Sequence, residues 1–328
     1  MTVLFSLFAV TALVVIAFAG AAKFTLLFGV VIPYAALAIF LVGVVYRILK
    51  WARSPVPFRI PTTCGQQKSL PWIKSNNLES PYNTAGVIGR MALEIFLFRS
   101  LFRNTKAELR EGPRLIHMSD KWLWLAGIVF HYSFLVILLR HLRFFAEPSP
   151  AFVNLIETMD GLFQVGLPML YLTDLAIVAA ATYLFLRRVL IPQVRYISLA
   201  ADYFPLFLIL GVAVSGILMR YFVRVNLIGV KELTMGLATL RPVIPQGIGP
   251  IFYIHLFLVS VLFAYFPFSK LMHMGGVFLS PTRNLANNNR MQRHINPWNY
   301  PVKVHTYEEY EDDFREKMKA AGLPLEKE

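Results

Sequence analysis

The chain has 328 residues, of which 56% are hydrophobic and only 16% charged, with a mean hydropathy of +0.55. A soluble globular domain carries about 25% charged and about 45–50% apolar residues, which excludes disorder, a collagen-like chain and an ordinary soluble enzyme. The net charge of +13 sits beside apolar runs, where basic residues orient membrane spans rather than bind nucleic acid. The lone cysteine, Cys64, excludes an internal disulfide framework and cannot alone build an iron–sulfur or cysteine-rich zinc site. The expectation is an all-α integral membrane protein in contact with lipid.

Apolar stretches of roughly 20 residues predict a six-helix transmembrane bundle: Val3–Ala22, Phe24–Leu49, Trp122–Phe144, Phe163–Leu186, Tyr203–Tyr221 and Ile251–Met272. Only the region of Lys23 separates the first two. The first lacks a basic n-region and exceeds the usual signal-peptide core, so it reads as a retained helix. The predicted organisation is two N-terminal spans (1–49), a polar loop (50–121), a four-helix core (122–273) and a polar tail (274–328).

The loop after the second span holds twelve Lys and Arg against five acids. Arg187, Arg188 and Arg195 in the next loop, and Arg283, Arg290, Arg293 and Lys303 in the tail, lie on the same side. The opposite side has fewer bases, chiefly Lys23, Arg143, Arg224, Lys231 and Arg241. The positive-inside rule places the long loop and both termini in the cytoplasm, and the chain in the cytoplasmic membrane.

Segments outside the spans also have character. Ser149-Pro150 followed by Phe152, Leu155, Ile156 and Met159, with Gly161 closing, predicts a short helix with a serine N-cap that caps the bundle at the external surface. Val87–Arg103 reads as an interfacial or partner-facing helix. The tail carries Asn287-Asn288-Asn289 and the acids Glu308, Glu309, Glu311, Asp312 and Asp313, a solvated run or a docking strap for a soluble partner.

Four of seven histidines fall in or at the ends of spans: His131 and His141 on the third, His255 and His273 on the sixth. Intramembrane ionisable residues are costly and mark function. His131 and His141 are separated by about 15 Å of helix rise, His255 and His273 by about 27 Å. The second pair spans five full turns and shares a face, whereas the first is offset by about 80°. Because the two spans run in opposite directions, His131 meets His273 toward the cytoplasm and His141 meets His255 toward the outside. Zinc wants four ligands, normally with Cys or carboxylate; porphyrin iron wants two axial ligands, and imidazole serves well. Two bis-histidine b haems in a slot lined by Phe130, Phe134, Phe252 and Phe257 are the economical reading, and the lack of a C-x-x-C-H motif excludes covalent attachment. A proton-relaying transporter is the alternative from another class.

Phe130-His131…His141, with His255…Pro267-Phe268-Ser269-Lys270-Leu271-Met272-His273 downstream, resembles the dihaem cytochrome b gamma subunit of respiratory nitrate reductase, over roughly residues 24–280. The extra first helix, the loop with Thr63-Cys64-Gly65-Gln66-Gln67 and the tail with His294-Ile295-Asn296-Pro297-Trp298 look more like DsrM, its relative in the DsrMKJOP complex of sulfate reducers. The resemblance implies an oxidoreductase subunit that exchanges electrons between the menaquinone pool and a cytoplasmic iron–sulfur partner similar to DsrK. It implies His131 and His273 as ligands of the inner haem iron, His141 and His255 as ligands of the outer one, and a quinol site beside the outer haem. A gamma subunit of a nitrate-reductase-type complex is the alternative within the family. The nitrate reductase subunit has a lysine at its quinol pocket about twenty positions after the second histidine; Gly161 stands there. Quinol oxidation needs a proton acceptor beside an apolar pocket, and the outer acids are Glu147, Glu157, Asp160 and Asp174. Asp160 and Asp174 are the candidate acceptors, and Arg140 and Arg143, flanking His141, are candidate clamps for haem propionates. His117, His294 and His305 read as surface residues and Cys64 as structural.

Overall fold

A computed structural model describes residues 1–21, 23–54, 65–103, 106–118, 120–163, 169–280, 282–292 and 304–327. Thr63 and Cys64 of the Thr63–Gln67 motif, and the His294–Trp298 run, lie outside the described residues.

Uninterrupted apolar sequence builds the first helices. α1 (Thr2–Ala21) carries no charged residue, and α2 (Ile32–Ala52) is entered through a π-helical turn at Leu27–Val31. The loop then folds into α3 (Thr84–Leu97), whose N-cap Asn83 accepts from the Gly86 N–H, and α4 (Arg99–Phe102). A hairpin of β1 (Lys106–Arg110) and β2 (Arg114–Met118) follows, paired antiparallel around Gly112 at φ 82°. Asp120 caps α5 (Lys121–His141) through the Leu123 N–H, and a 3₁₀ turn at Leu142–Phe144 continues it. Then come α6 (Ala151–Asp160), β3 (Gly161–Phe163), β4 (Leu170–Tyr171), α7 (Leu172–Leu190) and α8 (Pro192–Ile197). α9 (Ala200–Ile217), α10 (Leu227–Ala238), α11 (Pro250–Tyr265), α12 (His273–Gly276) and α13 (Tyr307–Ala320) complete the chain.

Among the described residues, five helices are long and apolar enough to cross a membrane: Thr2–Ala21, Leu27–Ala52, Lys121–Phe144, Ala200–Phe222 and Pro250–Phe268. The span expected fourth in the chain, α7, has 19 residues but carries Asp174, Arg187 and Arg188; it packs between α5 and α9. α1 packs on α9 and α11, and α2 on α11. Ser6 of α1, fully buried, donates to the Ala200 carbonyl at 3.1 Å. One apolar cluster joins Ala17, Phe28, Leu233, Phe252 and Tyr253; a second joins Val10, Leu208, Ile209, Leu258 and Leu262. Large apolar side chains such as Leu4, Phe5, Phe8, Val42 and Val45 remain outward-facing, the inverse of a water-soluble surface. The bundle thus has a loop end, with α3, α4, α8 and α12, and a cap end, with α6 and α10.

Several boundaries differ from those expected, each for a local reason. The fourth span begins at Leu172 rather than Phe163, because Asp160 of α6 accepts the Thr173 N–H at 3.0 Å and caps α7 there. The sixth span is not one helix to Met272: α11 ends at Tyr265, and Pro267, which lacks an N–H, diverts the chain into 3₁₀ turns at Phe266–Phe268 and Lys270–Met272. Gly43 of α2 makes room for that break, since a Cβ there would meet Pro267 at 2.8 Å. The cap helix exists, but Pro150, not Ser149, is its N-cap. Val87–Arg103 divides at Phe98 into α3 and α4. The β1–β2 hairpin, α10 and the tail helix α13 were not expected; the acids Glu308 and Glu309 form α13's first turn, capped by Thr306.

Candidate functional site: two histidine pairs and a buried ionic cluster

Each intramembrane histidine is held at the same atom. His131 Nδ1 lies 2.7 Å from the Gly127 carbonyl oxygen, His141 Nδ1 2.6 Å from that of Ile137, and His273 Nδ1 2.8 Å from that of Lys270. A carbonyl only accepts, so Nδ1 is the donor in all three. His255 Nδ1 lies 2.9 Å from the Ser215 hydroxyl, whose own hydrogen goes to the Val212 carbonyl at 2.9 Å. With the serine hydrogen on that carbonyl, the serine oxygen accepts from His255. Three imidazoles are thereby Nδ1–H tautomers, and the same tautomer is assigned to His255, which leaves every Nε2 lone pair free to bind a metal.

The fold brings these rings together in two pairs. His131 and His273 have centroids 6.0 Å apart and planes at 84°; His141 and His255 are 6.4 Å apart with planes at 12°. Two metal–imidazole bonds of about 2.0 Å in line, plus about 1 Å from each nitrogen to its ring centre, require about 6 Å between centroids. Both centroid separations match the spacing that a single metal between two imidazoles needs. Among the described residues no group of three or more His, Cys, Asp or Glu could hold a metal ion, so the donor sets suit a metal whose remaining ligands come with it, as in a porphyrin. Gly216 of α9 keeps space beside the cap-end pair, where a Cβ would lie 3.4 Å from His255 Cε1. Of the expected lining rings, Phe130 meets His131 edge-on at 5.2 Å and stacks on Phe134 at 6.3 Å. Phe257 packs on Phe28 at 5.4 Å, and Phe252 lies in the cluster around Phe28. Phe98, from the α3–α4 corner, closes the other side of His131 at 5.0 Å.

Next to His141 lies a buried ionic cluster. Arg140 Nη2 bonds Asp174 Oδ1 at 2.6 Å, and Arg140 Nε lies 3.3 Å from Asp160 Oδ2. Thr173 donates its N–H and its hydroxyl, at 3.0 and 2.6 Å, to the two Asp160 oxygens. Tyr221 donates to the second Asp174 oxygen at 2.9 Å and accepts the Tyr171 N–H at 3.0 Å. Arg140 and Arg220 both stack on the Tyr171 ring, at 3.8 and 4.0 Å. Two carboxylates and two guanidinium groups thus balance in formal charge, as buried charges must be paired to persist. The cluster ties α5, α6, α7 and the end of α9 together one residue from a candidate metal ligand.

Arg143 pairs with Glu157 at 2.7 Å, half-exposed, and Glu147 pairs with Lys231. Phe152, Leu155 and Met159 of α6 face outward. Among the remaining histidines, His305 is exposed near Glu309 and Asp313, and His117 lies in β2. Sequence reading missed Tyr171, Thr173, Ser215, Arg220 and Tyr221. Arg220 gave a usable signal, a cation inside an apolar span; the hydroxyl residues gave none.

Comparison with known proteins agrees with this architecture. Residues 87–294 match the family model of the nitrate reductase gamma subunit. The chain is 51% identical over 279 residues to the Hdr-like menaquinol oxidoreductase cytochrome b-like subunit of Archaeoglobus fulgidus, covering 83% of each chain. It is 42% identical over 274 residues to the protein of the same description from Archaeoglobus profundus, covering 81% of each. The matched region contains both histidine pairs and the ionic cluster. The chain belongs to the nitrate reductase gamma subunit family and is a membrane protein of cytochrome b type.

Proposed function

We propose that this chain is the menaquinol-oxidising cytochrome b subunit, of the DsrM type, of a redox complex linked to sulfate respiration, with two haems b held between α5 and the α11–α12 segment. The observation that carries the reading is the set of four Nδ1–H imidazoles in two pairs, 6.0 and 6.4 Å apart. The relatives' description supplies menaquinol as the substrate class. In this reading α7 is the sixth crossing, its 19 residues rising about 28 Å through a core of about 30 Å. The loop end faces the cytoplasm, with both termini there, and receives a DsrK-like iron–sulfur subunit of a DsrMKJOP-type complex. A nitrate-reductase-type assembly is the second reading, favoured by the family match alone.

Haem bound at these positions would supply one-electron transfer between the quinol side and the partner side. His131 with His273, and His141 with His255, would hold the two irons; Arg140 and Arg143 lie beside the cap-end site as its cationic neighbours. A quinol gives up two protons with its two electrons, so the site needs acceptors within hydrogen-bond reach. Asp160 and Asp174 serve here: Arg140 fixes both carboxylates, and Tyr221 orients the second oxygen of Asp174. The outward apolar face of α6, with Phe152, Leu155 and Met159, lies against lipid.

A reduced-minus-oxidised spectrum and redox titration of the four His→Ala variants test the assignment. His131→Ala and His273→Ala should abolish the same b-type centre, and His141→Ala and His255→Ala the other. Loss of one centre by both His131→Ala and His255→Ala would refute the pairing, and an unmodified protein without a b-type band would refute the function.

A further inference from the structure

Phe98 is not a glycine, yet its backbone occupies the left-handed region at φ 49°, ψ 44°. That conformation is disfavoured for a bulky side chain and persists only where the surroundings over-determine it. The surroundings here do so. Trp124 Nε1 donates to the Leu97 carbonyl at 2.7 Å, and Tyr132 donates to the Phe96 carbonyl at 2.9 Å, both reaching from α5. On the other side of the corner, Glu94 accepts the Ser100 N–H at 3.2 Å and also its hydroxyl. Glu94 is itself buried and paired with Arg283 at 3.0 Å. Arg283 belongs to the segment 282–292, which is stitched to the loop again where the Asn287 side chain donates to the Ser80 hydroxyl at 3.3 Å.

The restraints point the Phe98 ring at one target. It meets the His131 ring edge-on, with centroids 5.0 Å apart and planes at 81°, while Phe130 meets the same ring at 5.2 Å and 82°. Phe98 and Leu101 also pack over Gly127, where a Cβ would lie 3.9 and 3.5 Å from them, and the Gly127 carbonyl anchors His131 Nδ1. Ring, anchor and backbone strain converge on one imidazole.

We propose that Phe98 is the positioning residue of the loop-end redox centre. It fixes the rotation of the His131 ring and keeps water from the iron, and it is held by a latch whose last link is the Arg283–Glu94 ion pair of the tail. The inference rests on the reading of His131 and His273 as haem ligands. Because burial and ligand orientation tune a haem's potential, opening the latch admits water, which favours the more highly charged ferric state. The potential of that centre should fall, and only of that centre, since Phe98 makes no ring contact with His141 or His255 among the ring contacts of the described residues.

Potentiometric titration of the purified full-length chain, with each b-type band assigned by the histidine variants, decides it. Phe98→Ala should lower the midpoint of the His131–His273 centre or lose that haem, Phe98→Tyr should restore the unmodified value, and the His141–His255 centre should stay unchanged throughout. Arg283→Gln, which touches neither histidine pair, should lower the same midpoint by less. Unchanged midpoints in Phe98→Ala would overturn the inference, as would equal shifts in both centres. A silent Arg283→Gln would overturn the latch. An unmodified protein without haem bands fails the proposed function before any variant is compared, so the two failures are distinguishable.

Discussion

Replacing Arg140 by methionine keeps an unbranched stem but removes the guanidinium between Asp160 and Asp174. All three side chains are nearly buried, at 8%, 4% and 12% exposure. Removing one partner of a buried ion pair costs about 3–5 kcal/mol, because the remaining charge stays uncompensated. Thr173 still donates to Asp160, and Tyr221 to Asp174, so the lower end, about 3 kcal/mol, is expected. That corresponds to a folded-to-unfolded ratio reduced by about 10². Arg143→Met is the matched control. Its pair with Glu157 is nearly as short, 2.7 Å against 2.6 Å, but the Arg143 side chain is 39% exposed, and such pairs contribute about 0–1 kcal/mol. Denaturant unfolding in detergent, followed by tryptophan fluorescence and by loss of the b-type band, measures both variants. The double variant Arg140→Met/Asp160→Asn, which leaves Asp174 and Arg220 as one carboxylate and one guanidinium in the cluster, should recover part of the loss. Equal costs for Arg140→Met and Arg143→Met would refute the argument that burial sets the strength of this cluster.

Two further outcomes follow from the cap-end pair. Ser215→Ala removes the acceptor of His255 Nδ1–H, and loss of such an outer-shell partner typically lowers affinity by about 10–100-fold; haem titration should show weaker retention at the cap-end site and an unchanged loop-end site. Gly216→Leu drives side-chain atoms beyond the 3.4 Å Cβ position beside His255 and should remove the cap-end band. Gly211→Ala on the same helix, where a Cβ would meet Leu258 at an ordinary 3.6 Å, should retain both bands in the visible spectrum.

Five of the expected spans, and the approach of the histidine rings in pairs, were legible because hydropathy and helical rise are properties of single segments. His131 and His273 meet even though the helix carrying His273 breaks at Pro267, so the expected shared face on an unbroken helix was right about the meeting and wrong about the path. What escaped sequence reading depends on partners far along the chain. Ser215 anchors a histidine forty residues away, and Tyr221 bonds an aspartate on another helix; a hydroxyl in an apolar run looks the same whether it points to lipid or to a ligand. The Phe98 conformation was equally invisible, since no glycine marks it and its cause lies in α5 and the tail. α10 was missed because its buried Leu233 and Thr234 face Phe144 and the first spans rather than forming a run of membrane length.

The anchoring of the four imidazoles divides them by provenance. His131, His141 and His273 each bond a carbonyl three or four residues back in their own segment, whereas His255 alone depends on another helix, through Ser215. α5 therefore carries two candidate ligands whose Nδ1 anchors lie within its own helix, although the His131 ring also leans on Phe98 of the α3–α4 corner. α11 depends on α9 for the anchor of His255. In evolutionary terms the cap-end pair is bound to its packing partner, so drift at the α9–α11 contact is filtered by the anchoring of His255.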